Sequence, residues 1–85
     1  MDLDATPESM DRYLRIDHAA TLCVDQAIER LLADPRAPWA GRNCVVGKRG
    51  AAWIIQVECP STTFRLYWDL PTAEGPVHLL LLLPG

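Results

Sequence analysis

Apolar residues in the first part of the chain recur at Met10, Tyr13, Leu14, Ala20, Val24, Ala27, Ile28, Leu31 and Leu32. Most lie three or four positions apart, the period of a helix with one buried side. Thr6-Pro7-Glu8 reads as a helix start: a capping hydroxyl, a proline suited to the first helical position and an acid at the positive end of the dipole. Asp34-Pro35 closes the region, because proline disfavours helix in the residue before it. The stretch Asp17-His18-Ala19-Ala20-Thr21 weakens the period. Residues 6–34 are therefore either one helix of about 27 residues, roughly 40 Å long, or two shorter helices hinged near Asp17. Residues 1–5 are expected to fray.

After Asn43 the period changes from helical to alternating. Cys44-Val45-Val46, Ala51 to Cys59, Thr63 to Leu70 and Val77 to Leu83 read as strands, separated by turns at 47–50, 60–62 and 71–76. Short turns join consecutive strands as antiparallel hairpins. The expected fold class is α+β, with an N-terminal helical region packed on a three- to four-stranded antiparallel meander over 43–83. All 85 residues form a single domain in this scheme. In the intervening loop, Trp39 is expected to anchor onto the core.

Strict alternation sorts the strand residues into two faces. Trp53, Ile55, Val57, Phe64, Leu66, Trp68, Val77, Leu79, Leu81 and Leu83 would form the face covered by the helices. The opposite face would carry Ala52, Ile54, Gln56, Glu58, Thr63, Arg65, Tyr67 and Asp69, then His78, Leu80 and Leu82. Ile54, Tyr67, Leu80 and Leu82 would there make an apolar patch rimmed by Arg65, Gln56 and His78, a candidate protein interface. Alternatively, the N-terminal segment wraps round and shelters Leu80 and Leu82. The last strand, a five-leucine run, would be an exposed sheet edge in need of cover.

Composition narrows the function classes. Hydrophobic residues make up 49% and charged residues 22%, which excludes a disordered tail. The net charge is −3, opposite to that of a protein that grips nucleic acid through its phosphates. Residues 1–35 hold eight acids and three bases, and residues 36–85 five bases and three acids. The acidic helical layer, with Asp11, Asp25 and Glu29, suits a basic or nucleic-acid-binding protein partner. The acidic N-terminus lacks the pattern of a secretory signal. The longest apolar run, Leu79 to Leu83, is far short of the roughly twenty residues of a membrane helix, so no membrane association is expected. Cys23, Cys44 and Cys59 are odd in number and widely spaced, which suits unpaired thiols in a reducing cytoplasm. With His18 and His78 they lack the close pairing of structural zinc ligands, so no metal or other cofactor is implied.

No nucleotide-binding or nucleophile-elbow motif occurs. Gly47-Lys48-Arg49-Gly50 is a candidate anion site, although basic hairpin turns also serve solubility. Arg65, His78 and Tyr67 could act as phosphate clamp, base and orienting hydroxyl.

Three stretches together resemble the RelE/HigB-type toxins of toxin–antitoxin modules. They are Ala27-Ile28-Glu29-Arg30-Leu31-Leu32-Ala33-Asp34-Pro35, Phe64-Arg65-Leu66-Tyr67-Trp68, and Val77-His78-Leu79-Leu80-Leu81-Leu82-Leu83-Pro84-Gly85. The resemblance covers about 60 residues and implies the family's fold. Its members usually open with a strand, are strongly basic, and cleave RNA with lysines and arginines plus a tyrosine or histidine near the C-terminus. Arg65 matches that set, and Lys48 and Arg49 loosely so.

The leading expectation is a small non-enzymatic protein, an inhibitor or immunity-type module that docks on a protein partner. It would use Ile54, Tyr67, Leu80 and Leu82, or the acidic face of Asp11, Asp25 and Glu29. A homodimer through the same patch, or a heterocomplex, is compatible, and direct nucleic-acid binding is not favoured. The alternative is a RelE-like ribonuclease using Arg65, His78 and Tyr67.

Overall fold

Thr6 caps the first helix as its sequence position requires: its Oγ1 accepts a hydrogen bond from the Ser9 N–H at 3.2 Å. The computed structural model describes residues 3–47, 50–60, 62–72 and 75–84. Helix α1 spans Pro7–Arg15 and α2 spans His18–Ala33. The chain breaks between them because Asp17 caps α2, accepting from the Ala20 N–H at 2.9 Å. Of the two arrangements open to residues 6–34, the hinged pair is the one formed.

Four antiparallel-meander strands follow: β2 (Asn43–Gly47), β3 (Gly50–Glu58), β4 (Thr63–Asp69) and β5 (Val77–Pro84). Gly50, at φ +113°, occupies a backbone region that glycine tolerates best. Residues 3–5, expected to fray, instead form a short strand β1 (Leu3–Ala5). It pairs in parallel with β5, Leu3 opposite Val77 and Ala5 opposite Leu79. The sheet is thus five-stranded and mixed, in the order β1-β5-β4-β3-β2. β1 covers the outer edge of β5 over its first three residues, Val77 to Leu79. The pairing could not be read locally, because β1 is three residues long and its partner strand lies near the other end of the chain.

Both helices pack on one face, α1 over β5 and α2 over β3. Val24, Ile28 and Leu31 of α2 meet Ile55, Val57, Phe64, Leu66, Trp68, Val77, Leu79 and Leu82 in the core. The Trp53 and Trp68 rings lie 5.1 Å apart across β3 and β4, within the range of favourable aromatic pairs. Trp39 packs against the core as expected. Its outer side is capped by the Arg30 guanidinium, 4.1 Å from the ring centroid.

The alternation of β5 does not run through. Asp69 pairs with His78 and Trp68 with Leu79, but Tyr67 pairs with Leu81 and Leu66 with Leu82. Leu80 is the extra residue of a β-bulge, and one inserted residue exchanges the faces of everything after it. Leu82 is therefore in the core, 3% exposed. Leu81 and Leu83 take the opposite face, beside Tyr67 and Arg65. The expected placement of Leu82 in an outer patch, and of Leu81 and Leu83 in the core, is corrected accordingly. Leu80 is half-buried. The bulge is held from outside the hairpin: Thr6 N–H donates to the Leu79 carbonyl at 3.0 Å, and Thr6 Oγ1 to the Leu80 carbonyl at 2.8 Å. Ser9 Oγ, buried, shares its single proton between the Thr6 carbonyl at 3.0 Å and the Leu79 carbonyl at 3.2 Å.

The cysteines also depart from expectation. Cys23 of α2 and Cys59, just after β3, form a disulfide across 36 residues of sequence, while Cys44 is exposed and free. Wide spacing concealed the pair, but laying α2 across the end of β3 brings their Cα atoms to 5.8 Å, inside the range that a disulfide bridges.

Two outcomes are expected. Leu82→Ala should lower the stability measured by urea unfolding by about 2–5 kcal/mol, and Leu83→Ala by well under half of that; the reverse ranking would mean that β5 alternates without a bulge. Reduction, or Cys23→Ser with Cys59→Ser, should cost about 3–4 kcal/mol from the lost restriction of the unfolded chain. An unchanged urea midpoint under reducing conditions would show that the link contributes nothing.

Candidate functional site

The sheet face away from the helices is built from cross-strand rows. In one row Asn43, Ile54, Tyr67 and Leu81 stand side by side on β2, β3, β4 and β5. The neighbouring row holds Gln56, Arg65 and Leu83. Two residues along β4 in the other direction, Asp69, His78 and Asp4 form a third row reaching β1. The expected patch is thus half assembled. Ile54 and Tyr67 are adjacent and half-buried. Leu81 and Leu83 stand where Leu80 and Leu82 were expected.

Arg65, Tyr67 and His78 share this face but form a line. Arg65 and Asp69, the partner of His78, are four residues apart on β4, roughly 13 Å at strand rise. Arg65 is exposed and at the open end of the line, so its guanidinium is available to an anion. His78 sits between carboxylates, with Nε2 3.6 Å from Asp4 Oδ2 and Nδ1 3.6 Å from Asp69 Oδ1. Asp69 Oδ1 is shielded from solvent without a hydrogen bond, and the His78 ring nitrogen Nδ1 is the polar atom facing it. This places His78 across three strands, where it links β1, β5 and β4. Lys48 and Arg49, the cations of the candidate anion turn, lie outside the described residues.

On the helical side, the acids named from sequence separate. Asp11 is exposed and paired with Arg15 at 3.2 Å, one turn along α1. Asp25 and Glu29, one turn apart on α2, instead line a cavity of about 280 Å³ between α1, α2 and the sheet. Leu3, Met10 and Tyr13 form its other wall and Leu66, Leu79 and Leu82 its floor. The sequence signal for this cavity was weak. Met10, Tyr13 and Leu14 looked like core positions of a helix, and Leu3 lay in a segment without a recognisable pattern. Tyr13 Oη donates to Asp25 Oδ1 at 2.6 Å, tying the two helices together. The bond to the carboxylate, with smaller contributions from burial and from its charge, raises the Tyr13 hydroxyl above its ordinary pKa of 10.0.

Among the described residues no three His, Cys, Asp or Glu side chains are grouped to hold a metal ion, and no helix is long and apolar enough to cross a membrane.

Comparison with known proteins bears on the fold. No protein-family model matches the chain, and no curated protein matches it in sequence. Its structure matches a chain in the crystal structure of the intact E. coli RelBE toxin–antitoxin complex. The TM-score is 0.71, over 99% of this chain and 95% of that one, at 13% sequence identity. At that identity the likeness is one of fold, and the RelE-like architecture expected from the three sequence stretches is the one found.

Because the Tyr13 hydroxyl holds its proton more tightly in the folded state than in the unfolded chain, its stabilisation is complete below pH 10. It is lost as the pH rises through the folded-state value. Tyr13→Phe should cost about 0.5–1 kcal/mol at neutral pH, the low end for a hydrogen bond because the pair is partly solvated. The variant should also lose part of the wild-type decline in stability above pH 10. Identical alkaline unfolding curves for the two proteins would show that the bond does not form.

Proposed function

We propose that this protein is a RelE-type toxin subunit, an RNA-cleaving protein that works as one half of a two-protein toxin–antitoxin pair. The observation that carries this proposal is the end-to-end match in fold to a chain of a toxin–antitoxin complex. It favours the ribonuclease alternative over the inhibitor first expected from the acidic composition.

RNA would lie along the outer sheet face, tracking β4. Arg65, exposed, would neutralise a phosphate and stabilise the charge that grows on it in the transition state. Tyr67, two residues along the same face, would supply a hydroxyl to the same strand of RNA. His78, held between Asp4 and Asp69, would take or return a proton at the far end of the line. The acidic helical layer lies on the opposite face, so its charge is kept away from the substrate.

A second function, docking on a partner without cleaving RNA, is favoured by one observation. A phosphate approaching His78 meets two carboxylates, each 3.6 Å from the ring, and like charges repel it.

The two are separated by inducible expression in a bacterial host without any second protein, together with incubation of the purified protein with messenger RNA. The toxin should arrest growth and cut RNA. Arg65→Ala should lower the cleavage rate by about 10²-fold with an unchanged melting temperature, since the residue is exposed. Normal growth and intact RNA with a folded wild-type protein would overturn the ribonuclease proposal in favour of the docking protein.

A further inference from the structure

The cleft between α1 and α2 lies on the other side of the sheet from Arg65, and nothing in the proposed ribonuclease function uses it. It is lined with aliphatic side chains, yet it is open: Leu3 and Met10 on its wall remain 42% and 44% exposed. The apolar surface continues beyond the opening. Leu14, one turn after Met10 on α1, is 74% exposed, and Leu22, one turn before Asp25 on α2, is 53% exposed. These four are the exposed large apolar residues of β1, α1 and α2: Leu3 and Met10 line the cleft, and Leu14 and Leu22 each stand one helical turn from a lining residue, a grouping that marks an interaction site.

We propose that this cleft docks an amphipathic basic helix of a protein partner. The partner's apolar side chains would enter between α1 and α2, and its lysines or arginines would meet Asp25 and Glu29. Three physical arguments select that occupant. The first is volume: about 280 Å³ falls just below the roughly 300–1,000 Å³ of small-molecule sites, and suits a few inserted side chains better than a whole ligand. The second is backbone chemistry. The walls that carry Met10, Tyr13, Asp25 and Glu29 are helices whose own amides are already bonded, and Leu3 alone comes from a strand, so an extended segment laid against those helices would bury N–H and C=O groups without partners. A helix brings its own hydrogen bonds and presents anchors at helical spacing. The third is charge. Asp25 and Glu29 stand at the cleft, within a segment of eight acids and three bases over residues 1–35, which attracts a cationic partner. A second copy of this chain would bring the same acids to the same place, because a two-fold interface sets like patches together.

The test uses the full chain and a fluorescein-labelled peptide of about 18 residues, long enough for five helical turns, with leucines at helical spacing and lysines elsewhere. A twin peptide carries glutamate in place of lysine. In fluorescence polarisation the lysine peptide should bind one-to-one and at least about tenfold more tightly than its twin. Asp25→Asn with Glu29→Gln should weaken it about fivefold or more. Met10→Glu with Leu14→Glu should weaken it about tenfold or more, although the change adds two attractive charges. Binding that is unchanged or tightened by Met10→Glu with Leu14→Glu would mean that a cation is merely drawn to an acidic surface, and would overturn the proposal. So would the absence of binding, or a dimer in sedimentation velocity that dissociates on the same substitution, which would make a second copy the occupant. None of these results depends on RNA cleavage, so failure of the toxin proposal and failure of this one are read separately.

Discussion

The arrangement of the molecule turns on two carbonyl groups. Leu79 and Leu80 turn their C=O groups toward the start of α1, where Thr6 and Ser9 donate to them. A bulged strand leaves ladder groups unpaired, and here the donors that satisfy them belong to a helix cap. The same few residues do three things: Thr6 begins α1, ends β1 and secures the bulge. Because the bulge exchanges the faces of β5, it decides that Leu82 fills the core under the helices and that Leu81 and Leu83 lie beside Tyr67 and Arg65. The composition of both faces therefore depends on hydrogen bonds made by one threonine and one serine.

Local chemistry was legible wherever it acts within a few residues. Thr6-Pro7 caps α1, Asp17 divides the helices and Pro35 follows the end of α2. Glycine- and proline-bearing segments separate the strands. These features hold because the groups that interact are neighbours in sequence. The bulge, the parallel strand β1 and the Cys23–Cys59 link were not legible for the opposite reason. Each joins segments far apart, and none leaves a mark in a window of ten residues. The candidate site divides in the same way. Arg65 and Tyr67 lie on the face that alternation predicts because β4 alternates without interruption, whereas Leu82 lies on the other because β5 does not.

Charge and topology reinforce one another. The sheet separates an outer face bearing Arg65, Tyr67 and His78, along with the carboxylates of Asp4, Glu58 and Asp69, from a helical layer bearing Glu8, Asp11, Asp25 and Glu29. A protein of net charge −3 can therefore still present a cationic side chain to an anion on one side. The RelE-like fold, shared at 13% identity, imposes the layering but not the side chains. It is compatible with residues unlike those of its structural neighbour, and function has to be argued from the faces themselves.

The parallel strand has a bearing on how the protein is made. Thr6 and Leu80, whose bond secures the bulge, are separated by 74 residues. Translation delivers β1 and both helices early, whereas β5, the strand between β1 and the rest of the sheet, is made after the other four strands. Until then α1, which packs over β5, has no floor, and β1 has nothing beside it. The sheet is thus completed only once β5 has emerged, a late event typical of folds rich in distant pairings.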